Sequence, residues 1–358
     1  MAGGIEFSSS LIMNEMVKRG HKVTLITWDQ EHPEAFFDLS PEIDWQVINL
    51  GDPWQKASHM TRVKRLLKLR RLIKSVRSDV AVAFHDNCAV LTVLAALGLS
   101  VPVIAAERSA PSRFEYGVGG TKKKVLFQLL RLATKITIFF DRYRESYPAY
   151  LRSKMVAIPN MVFPAPPLAE VKRVDDKNVI LYLGRLSYEK NPSVFLRSFA
   201  ALAGEYPEWS VLIGGDGAEQ AALEDYVANK GLQERVTFLG KVKDVRALYE
   251  QASVLAFPSR WEGFGNALAE GMACGLACVA FAECSGASDL LQHEKSGLLA
   301  DGNDNEQSFT ACLKTVMDDP DLRYDFGVQA QKDISAYDQH HVYALWESLF
   351  KDTALVKK

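Results

Sequence analysis

Short apolar runs alternate with amphipathic segments of helix length along almost the whole chain. In residues 1–160, runs rich in Val, Ile, Leu and Ala predict six strands: Lys22–Thr27, Asp44–Leu50, Val80–Phe84, Val101–Ala106, Lys135–Phe139 and Met155–Ile158. Several are nearly continuous in apolar residues, as expected for parallel strands covered on both faces. Helices are predicted over Ser8–Arg19, Thr61–Arg77, Asn87–Leu97 and Thr121–Ala133. This βαβ alternation is typical of a doubly wound α/β domain.

The alternation stops at a proline-rich stretch and then begins again. Residues 159–174 contain four prolines, which remove backbone donors and fix φ, so a linker is predicted there. Further strands are predicted at Val179–Leu183, Ser210–Ile213, Arg235–Leu239, Ser253–Phe257 and Ala277–Phe281, with helices at Pro192–Ala203 and Glu219–Asn229 between them. We therefore predict two Rossmann-like domains, at 1–160 and 177–335, joined by a linker at 161–176. A C-terminal helix at 336–358 is expected to pack back toward the first domain.

The start of the sequence departs from this pattern. In a doubly wound domain the first glycine-rich turn follows a strand, but Gly3-Gly4 has no strand before it. Either the first strand of the N-terminal domain is missing from this sequence, which we expect, or an unusual sheet begins at the second strand.

The composition is ordinary for a globular protein: 48% of the 358 residues are hydrophobic and 24% are charged. This excludes a disordered or collagen-like chain, and the length suits two domains. The five cysteines form no Cys-x-x-Cys pair, so we interpret them as small buried residues in a reducing compartment. With neither a signal-peptide pattern nor an apolar run of 18 residues, the sequence predicts a cytoplasmic protein.

The net charge of −2 hides an uneven distribution. Residues 1–160 carry 23 Lys and Arg against 15 Asp and Glu, whereas residues 161–358 carry 19 against 29. Residues 56–77 alone hold nine cations and no acid, with apolar residues at helical spacing, and Lys122-Lys123-Lys124 adds to this half. Such a helix suits an anionic membrane surface on the inner face of the cell membrane. The alternative is a helix packed on the sheet with solvated cations. Nucleic acid is not expected, because no stacking aromatics interleave the run.

The most informative stretch lies at residues 257–275. A predicted strand ends, and Gly263-Phe264-Gly265 opens a helix whose unpaired N–H groups suit a phosphate. Glu262 lies just before this helix and Glu270 lies inside it, so both carboxylates can line one wall of a site and accept hydrogen bonds from vicinal hydroxyls. The alternative is a capping Glu262 with a solvent-facing Glu270.

A second cluster follows the first strand of the second domain. Gly184 permits a tight turn, after which Arg185 and Lys190 form a clamp matched to a pyrophosphate. The alternative is a solvated basic loop. Gly215 belongs to a Gly-Gly-Asp-Gly turn where backbone can approach a ligand, which is a weak signal by itself.

These motifs together resemble the retaining family-4 glycosyltransferases with the GT-B fold, of the bacterial polysaccharide and lipopolysaccharide type. The similarity rests on Gly184-Arg185-Leu186, Glu189-Lys190-Asn191, Gly215-Asp216-Gly217, Phe238-Leu239-Gly240 and Glu262-Gly-Phe-Gly-x4-Glu270. Gly3-Gly4-Ile5-Glu6, residues 19–25 and Ile158-Pro159-Asn160 resemble the N-terminal domain and the junction of this family. The fold class implied is α/β, with two doubly wound domains facing a cleft.

The resemblance implies a role for each matching residue. Arg185 and Lys190 would hold the pyrophosphate and stabilise the departing diphosphate, and Glu262 would bind donor-sugar hydroxyls. The remaining donor contacts implied are backbone N–H groups of Phe264, Gly265 and Asn266 for sugar and phosphate, Glu270 for the ribose, backbone at Lys241 and Val242 for the base, and Gly3 and Gly4 for the phosphate from the other domain. The family needs no metal or other cofactor for this step. Asp319-Pro320-Asp321 is therefore interpreted as a helix boundary.

The N-terminal domain departs from the family pattern at one position. Many relatives carry a histidine after the strand that matches Val101–Ala106, but this sequence has Glu107-Arg108 there. Glu107, Arg108 and the strand-end His85 are kept as acceptor-side or donor-sugar candidates. The alternatives are a Glu107–Arg108 pair that holds a loop and an ordinary loop histidine, which we favour for His85.

The predicted function is retaining transfer of a hexose-type sugar from a nucleotide sugar, expected to be a UDP-sugar, to a glycan or lipid-linked acceptor. Two alternatives remain open at this point. One is a nucleotide-sugar epimerase or hydrolase on the same fold, and the other is a truncated chain that binds a nucleotide sugar without turnover.

Overall fold

A computed structural model describes residues 4–29, 34–51, 55, 57–112, 120–163 and 178–356. Gly3, Lys56 and most of the predicted linker lie outside these residues. The chain divides into two compact units, an N-terminal unit of Met1–Met161 with His340–Lys358 and a C-terminal unit of Val162–Gln339.

The described residues of the N-terminal unit form six short parallel strands, which lie at the six predicted positions. The strands are β1 (Thr24–Thr27), β2 (Asp44–Val47), β3 (Ala81–Phe84), β4 (Val103–Ala106), β5 (Lys135–Ile138) and β6 (Met155–Ala157). The α-helices are α1 (Gly4–Lys18), α2 (His59–Val76), α3 (Asp86–Ala96), α4 (Thr121–Leu130), α5 (Ala149–Arg152) and, near the end of the chain, α13 (Gln339–Leu355); a 3₁₀ helix covers Asp141–Ser146.

These strands form two parallel sheets, β1-β2 and β3-β4-β5-β6. Among the described residues, no strand pairing joins the two sheets. A doubly wound sheet would place one further parallel strand between β1 and β3.

Helix α13 contributes to the core of the N-terminal unit. Its fully buried Trp346 packs in a cluster with Ile12 and Met16 of α1, Ile104 of β4 and Ile158 after β6. Because these contacts remove large apolar surfaces from water, the last helix is an integral part of the unit that begins at the N-terminus.

The cationic helix α2 buries one apolar stripe and exposes another. Leu69 and Ile73 pack against Ile48 and Ala95. On the outside, Met60, Val63 and Leu67 are exposed at spacings of three and four residues. The exposed cations of this helix and its C-cap are Arg62, Lys64, Arg71, Lys74 and Arg77. Helix α2 therefore packs on the core through one face and presents a solvent-exposed cationic face on the other.

In the C-terminal unit, the described residues form one six-stranded parallel sheet. Its strands are β7 (Val179–Leu183), β8 (Ser210–Gly214), β9 (Val236–Gly240), β10 (Val254–Phe257), β11 (Ala277–Phe281) and β12 (Gly297–Ala300). Its helices are α6 (Pro192–Leu202), α7 (Gln220–Asn229), α8 (Val245–Gln251), α9 (Asn266–Ala273), α10 (Ala287–Leu290), α11 (Glu306–Asp318) and α12 (Pro320–Ile334), followed by a 3₁₀ helix at Ser335–Tyr337. The five predicted strands are present, and β12 is additional.

The strand order β9-β8-β7-β10-β11-β12 is the doubly wound order in which the sheet winds outward in both directions from its two central strands. The order reverses between β7 and β10. In open α/β sheets, ligands bind outside the carboxyl ends of the strands at this switch point.

The structure also bears on two smaller predictions. Asp319 is the N-cap of α12, its side chain accepts the N–H of Leu322, and Pro320 occupies the first turn, so Asp-Pro-Asp is a helix boundary. The cysteine prediction holds in part: Cys278 and Cys284 are buried, and burial raises the pKa of both thiols, whereas Cys88, Cys274 and Cys312 are half-buried. In the described part of the chain, no helix has the length and hydropathy needed to cross a membrane.

Candidate functional site

Backbone hydrogen bonds tie together the carboxyl ends of β7, β8 and β9. Gly184 donates to the carbonyl of Gly214 at 3.0 Å, and Gly215 donates to that of Gly240 at 2.7 Å. The N–H of Leu186 donates to the carbonyl of Asp216 at 2.9 Å. The glycine turns singled out in the sequence therefore meet along one edge of the sheet.

Two of these glycines leave no room for a side chain. A Cβ on Gly215 would lie 1.9 Å from the carbonyl oxygen of Gly184, and Gly215 has φ +132°. A Cβ on Gly217 would lie 2.2 Å from the carbonyl oxygen of Leu186. Only glycine permits this close approach of the two loops.

The central feature of the site is an ion pair across the switch point. Lys190, in the loop after β7, donates to the carboxylate of Glu262, in the loop after β10. The same carboxylate oxygen accepts the hydroxyl of Ser259 at 2.9 Å. The side chains of Lys190 and Glu262 remain 21% and 12% exposed, so a ligand can still reach the pair. Two residues predicted separately thus form one charged unit.

Two hydrogen bonds with Ser285 position Glu262. Its N–H donates to the carbonyl of Ser285 at 3.0 Å, and the Ser285 hydroxyl donates back to the Glu262 carbonyl at 3.2 Å. Gly286 has φ +87°, and a Cβ there would lie 3.0 Å from that of Glu262. The loop after β11 therefore supports the loop that carries the carboxylate.

Helix α9 begins next to this pair. Gly265 is its N-cap, with φ +93°, and Asn266 is its first residue. Phe264 is buried and packs edge-on against Tyr337 at 5.6 Å between ring centroids. The buried Phe264 ring anchors the loop. Because the side chain is buried, the backbone of this loop is the part suited to bind a ligand.

Arg185 and Lys241 lie at the exposed rim of the same edge. The Arg185 guanidinium is 2.9 Å from the Glu189 carboxylate, and its side chain is 68% exposed. Lys241 lies 3.5 Å from the Asp216 carboxylate and is also exposed. The adjacent Val242 packs near Gly214. These cations are held by weak surface pairs, so they can change partners at small cost.

Glu270 differs from Glu262 in its partner. It lies on α9, is partly buried, and accepts the Tyr249 hydroxyl at 2.9 Å. Burial raises the pKa of Glu270, and the hydrogen bond from Tyr249 opposes that rise. The solvent-facing alternative for Glu270 is therefore wrong. Sequence reasoning missed Ser259 and Tyr249, since neither belongs to a recognisable motif.

In the N-terminal unit, Arg108 is sealed inside the protein. Its two terminal nitrogens donate to the Ile158 carbonyl at 2.9 Å and the Thr137 hydroxyl at 2.8 Å. The guanidinium lies 4.7 Å from the ring centroid of Phe139 and 5.0 Å from that of Trp346. Burial lowers the pKa of Arg108 to about 9. This geometry gives Arg108 a structural role within the unit.

Glu107 and His85 lie at the carboxyl ends of neighbouring strands. Glu107 is buried after β4, where its N–H donates to the Thr137 carbonyl at 3.0 Å. His85 is exposed, caps α3 through a 3.5 Å contact from the Asn87 N–H, and adopts φ +77°. His85 also lines an open groove of about 600 Å³ with Asp86, Ser109, Thr121, Lys122 and Val125, among others. Gly4 is the exposed first residue of α1.

In the described part of the chain, no group of three or more His, Cys, Asp or Glu side chains is placed to hold a metal ion.

Comparison with known families covers both halves of the chain. Residues 3–160 match the model of the glycosyl transferase 4-like domain, and residues 168–333 match that of the glycosyl transferases group 1. The chain belongs to the family-4 glycosyltransferases with the GT-B fold. Its fold, two Rossmann-like units with parallel sheets, agrees with this membership.

Two bacterial glycosyltransferases match over nearly the full length. The first, from Campylobacter jejuni, is GalNAc-α-(1→4)-GalNAc-α-(1→3)-diNAcBac-PP-undecaprenol α-1,4-N-acetyl-D-galactosaminyltransferase, 26% identical over 98% of this chain and 96% of the relative. The second is the amylovoran biosynthesis glycosyltransferase AmsD of Erwinia amylovora, 26% identical over 97% and 96%. Among solved structures, Anabaena HepE in complex with UDP and glucose shares the fold, with a TM-score of 0.78 at 18% identity over 98% of this chain and 96% of HepE.

Proposed function

We propose that this glycosyltransferase moves a hexose-type sugar from a UDP-sugar to a glycan or lipid-linked acceptor in cell-surface polysaccharide synthesis, with retention of the anomeric configuration. The observation that carries the proposal is the Lys190–Glu262 pair at the switch point of the C-terminal sheet. A cation and a carboxylate held side by side match a donor whose diphosphate is anionic and whose sugar carries hydroxyls.

The two cations divide the work on the diphosphate. Lys190 lies beside Glu262, and the more exposed Arg185 can leave Glu189 for a phosphate that binds it in two places. Charge develops on the diphosphate as the bond to the sugar breaks, and cations placed there beforehand lower the barrier. We assign this stabilisation to Lys190 and Arg185, without a metal or other cofactor.

The remaining donor contacts follow the strand order. Backbone at Lys241 and Val242, after β9, would bind the base, and Glu270 would accept the ribose hydroxyls. Glu262 and the backbone of Phe264, Gly265 and Asn266 would bind the transferred sugar and its phosphate, while the backbone of Gly215, held against Gly184, would contact the diphosphate. The structure of HepE, a complex with UDP and glucose, supports a UDP-sugar as the proposed donor.

We propose that the N-terminal unit contributes residues to acceptor binding. His85 borders the groove beside α3 and α4, and Glu107 follows the neighbouring strand. Attack by the acceptor hydroxyl on the face from which the diphosphate departs would retain the configuration. The C. jejuni relative acts on an acceptor that carries undecaprenol, which agrees with a lipid-linked acceptor for this chain.

The exposed stripe of α2 supports a location at the inner face of the cell membrane. Met60, Val63 and Leu67 offer apolar contact, and the exposed cations of this helix would bind anionic headgroups, each contributing about 1 kcal/mol. The protein would then be cytoplasmic and peripheral, close to a lipid-linked acceptor.

Thermal shift with UDP-, GDP- and ADP-sugars, followed by a transfer assay with the stabilising donor, tests the donor proposal. We expect a UDP-sugar to raise Tm, and Glu262→Ala and Arg185→Ala to lower transfer. Unchanged rates in both variants would refute the site assignment. An altered sugar or free sugar with UDP, and no transfer, would instead indicate an epimerase or hydrolase. Binding without turnover would indicate a non-catalytic protein.

Flotation with phosphatidylglycerol vesicles tests the membrane proposal. Leu67→Glu should abolish binding because it places an acid in the apolar stripe, while Leu132→Glu, at an exposed position away from α2, should leave it unchanged. Equal flotation of both variants would contradict the proposed surface.

A further inference from the structure

Two aromatic side chains meet at the rim of the switch point and have no role in the donor site described above. Tyr188 lies in the loop after β7 and Trp261 in the loop after β10, and their ring centroids are 6.0 Å apart with the planes inclined by 57°. Tyr188 is 57% exposed although most large aromatic residues of this unit are buried. An aromatic pair at a ligand-binding edge, with Tyr188 exposed and Trp261 half-buried, requires an explanation other than core packing.

The pair is held in place by a network that reaches a third loop. Arg260 stacks on Tyr188, with its guanidinium carbon 3.9 Å from the ring centroid, and also donates to the Tyr188 carbonyl. Its guanidinium binds the Asp304 carboxylate with contacts of 2.6 and 3.2 Å. The N–H of Arg260 donates to the Glu189 carbonyl at 2.9 Å, which links the two aromatic loops directly. The rings are therefore preorganised, which reduces the entropy lost when a ligand binds.

The position of the pair separates it from the base end of the donor site. Tyr188 is two residues before Lys190, and Trp261 directly precedes Glu262, so the rings flank the ion pair in both loops. The proposed base contacts follow β9, two strands away from β7. The rings therefore lie at the sugar end of the site.

We propose that Tyr188 and Trp261 form a stacking platform for a pyranose ring of the acceptor glycan, next to the bond that is made. This inference rests on the proposed function and extends it by naming the substrate class at this position. The donor sugar has polar partners in the more buried Glu262 and Lys190. Tyr188 is exposed to the solvent from which the acceptor arrives, and Trp261 beside it is half-buried.

Aromatic rings suit this ligand because one face of many pyranoses presents only C–H groups. The ring faces of Tyr and Trp are electron-rich, and they cover such an apolar face while the sugar hydroxyls stay hydrated. A platform of this kind selects a ring with an uninterrupted C–H face over an open-chain polyol. It also tolerates different linkages, since it does not bind individual hydroxyls.

Steady-state kinetics with the acceptor identified by the transfer assay gives the first test. We expect Tyr188→Ala and Trp261→Ala each to raise the acceptor KM by about tenfold, with the donor KM unchanged within twofold. Tyr188→Phe and Trp261→Phe should restore an acceptor KM close to that of the unmodified protein. Tyr324→Ala, at an exposed tyrosine on α12, is the matched control. An increase in donor KM, or no change in either KM, would overturn the proposal.

A binding measurement independent of turnover gives the second test. With saturating UDP, methyl β-galactopyranoside and methyl N-acetyl-α-galactosaminide are titrated while tryptophan emission is recorded, and sorbitol serves as the polyol control. We expect saturable quenching by at least one glycoside, none by sorbitol, and loss of the signal in Trp261→Phe. No glycoside response, or an equal response in Trp261→Phe, would refute the platform. Failure of the proposed function is seen separately, as absence of UDP-sugar binding by the unmodified protein.

Discussion

Lys190 and Arg108 are both cations that the sequence marks as candidates for a functional site, yet the protein places them in opposite settings. Lys190 lies at a sheet edge, pairs with Glu262, and remains partly open to solvent. Arg108 is 7% exposed, donates to a carbonyl and a hydroxyl, and lies between two aromatic rings. Lys190 is therefore accessible to a ligand, whereas the hydrogen bonds of Arg108 are made within the folded unit.

The difference shows what makes a charged residue functional. The hydrogen-bond partners of Arg108 are neutral groups, the buried Glu107 carboxylate interacts with its charge, and burial leaves a ligand little access to it. The partner of Lys190 is a carboxylate that itself has a proposed ligand role, so a bound sugar diphosphate can replace part of the ion pair with contacts of its own. The accessibility of the charge to a ligand therefore distinguishes Lys190 from Arg108 more clearly than the residue type does.

The largest effect is expected from Lys190→Ala. Transfer should fall by about 10³-fold, equivalent to about 4 kcal/mol at the transition state, because the leaving diphosphate loses a preplaced cation. Single-turnover measurements with a UDP-sugar check this. Lys190→Arg serves as the control, since it keeps the charge but not its position beside Glu262. A loss of less than tenfold in Lys190→Ala would remove Lys190 from the catalytic residues.

Arg108→Ala should act on stability instead. We expect a loss of about 3 kcal/mol, because the substitution leaves the Ile158 carbonyl and the Thr137 hydroxyl without their donor and opens a cavity between two rings. For a unit of this size the Tm should fall by about 6–12 °C, while UDP-sugar affinity stays unchanged. Arg108→Met should recover part of the loss by filling the space. An unchanged Tm with a raised acceptor KM would place Arg108 in the acceptor site.

Gly215→Ala tests whether the loop edge around Lys190 depends on backbone contact. The new Cβ would clash with the Gly184 carbonyl oxygen, so the ends of β7 and β8 must separate. We expect a loss of about 2 kcal/mol in stability together with weaker UDP binding, measured by calorimetry. Gly231→Ala is the control, since Gly231 also has a positive φ, +67°, but has nothing near its Cβ position. Equal behaviour of the two variants would contradict a role for the close approach.

The smallest effect concerns the pH dependence at Glu270. Burial raises the pKa of this carboxyl above its ordinary value of 4.5, and ribose hydroxyls donate to the ionised form. UDP-glucose affinity should therefore fall as the pH is lowered through the raised pKa. Without ligand the sign is reversed: the folded unit favours the protonated carboxyl, so the stability due to this group declines as the pH rises through the same range.

Calorimetric titrations with UDP-glucose between pH 5 and 8 measure this dependence. Glu270→Gln should bind about tenfold more weakly at pH 8 and show a flatter pH profile than the unmodified protein. A profile that keeps its slope in Glu270→Gln would assign the titration to another group.

The strands were predictable because buried parallel strands are continuous apolar runs, and each run predicts its element without further context. Strand β12 escaped notice because Gly297–Ala300 is a four-residue run that begins with glycine. The glycines and charged residues of the site were predictable because they cluster directly after the ends of predicted strands.

The partners of the site residues were harder to predict. The Tyr249 hydroxyl reaches Glu270 from a separate short helix, and Tyr188 meets Trp261 across 73 positions of sequence. Arg108 was interpretable as a ligand contact only because Phe139 and Trp346, which enclose it, are distant along the chain. Such contacts follow from strand order and packing, which local patterns do not encode.

The return of α13 to the N-terminal unit has a consequence for synthesis on the ribosome. The C-terminal unit is one continuous segment, Val162–Gln339, and all of it has been translated before Trp346 is made. The N-terminal core needs Trp346 to cover Arg108 and Ile158. Although domains generally fold in the order of translation, here the unit that is begun first is completed last. We therefore expect a released chain that ends near residue 340 to resist protease in its second half while its first half is still readily cleaved.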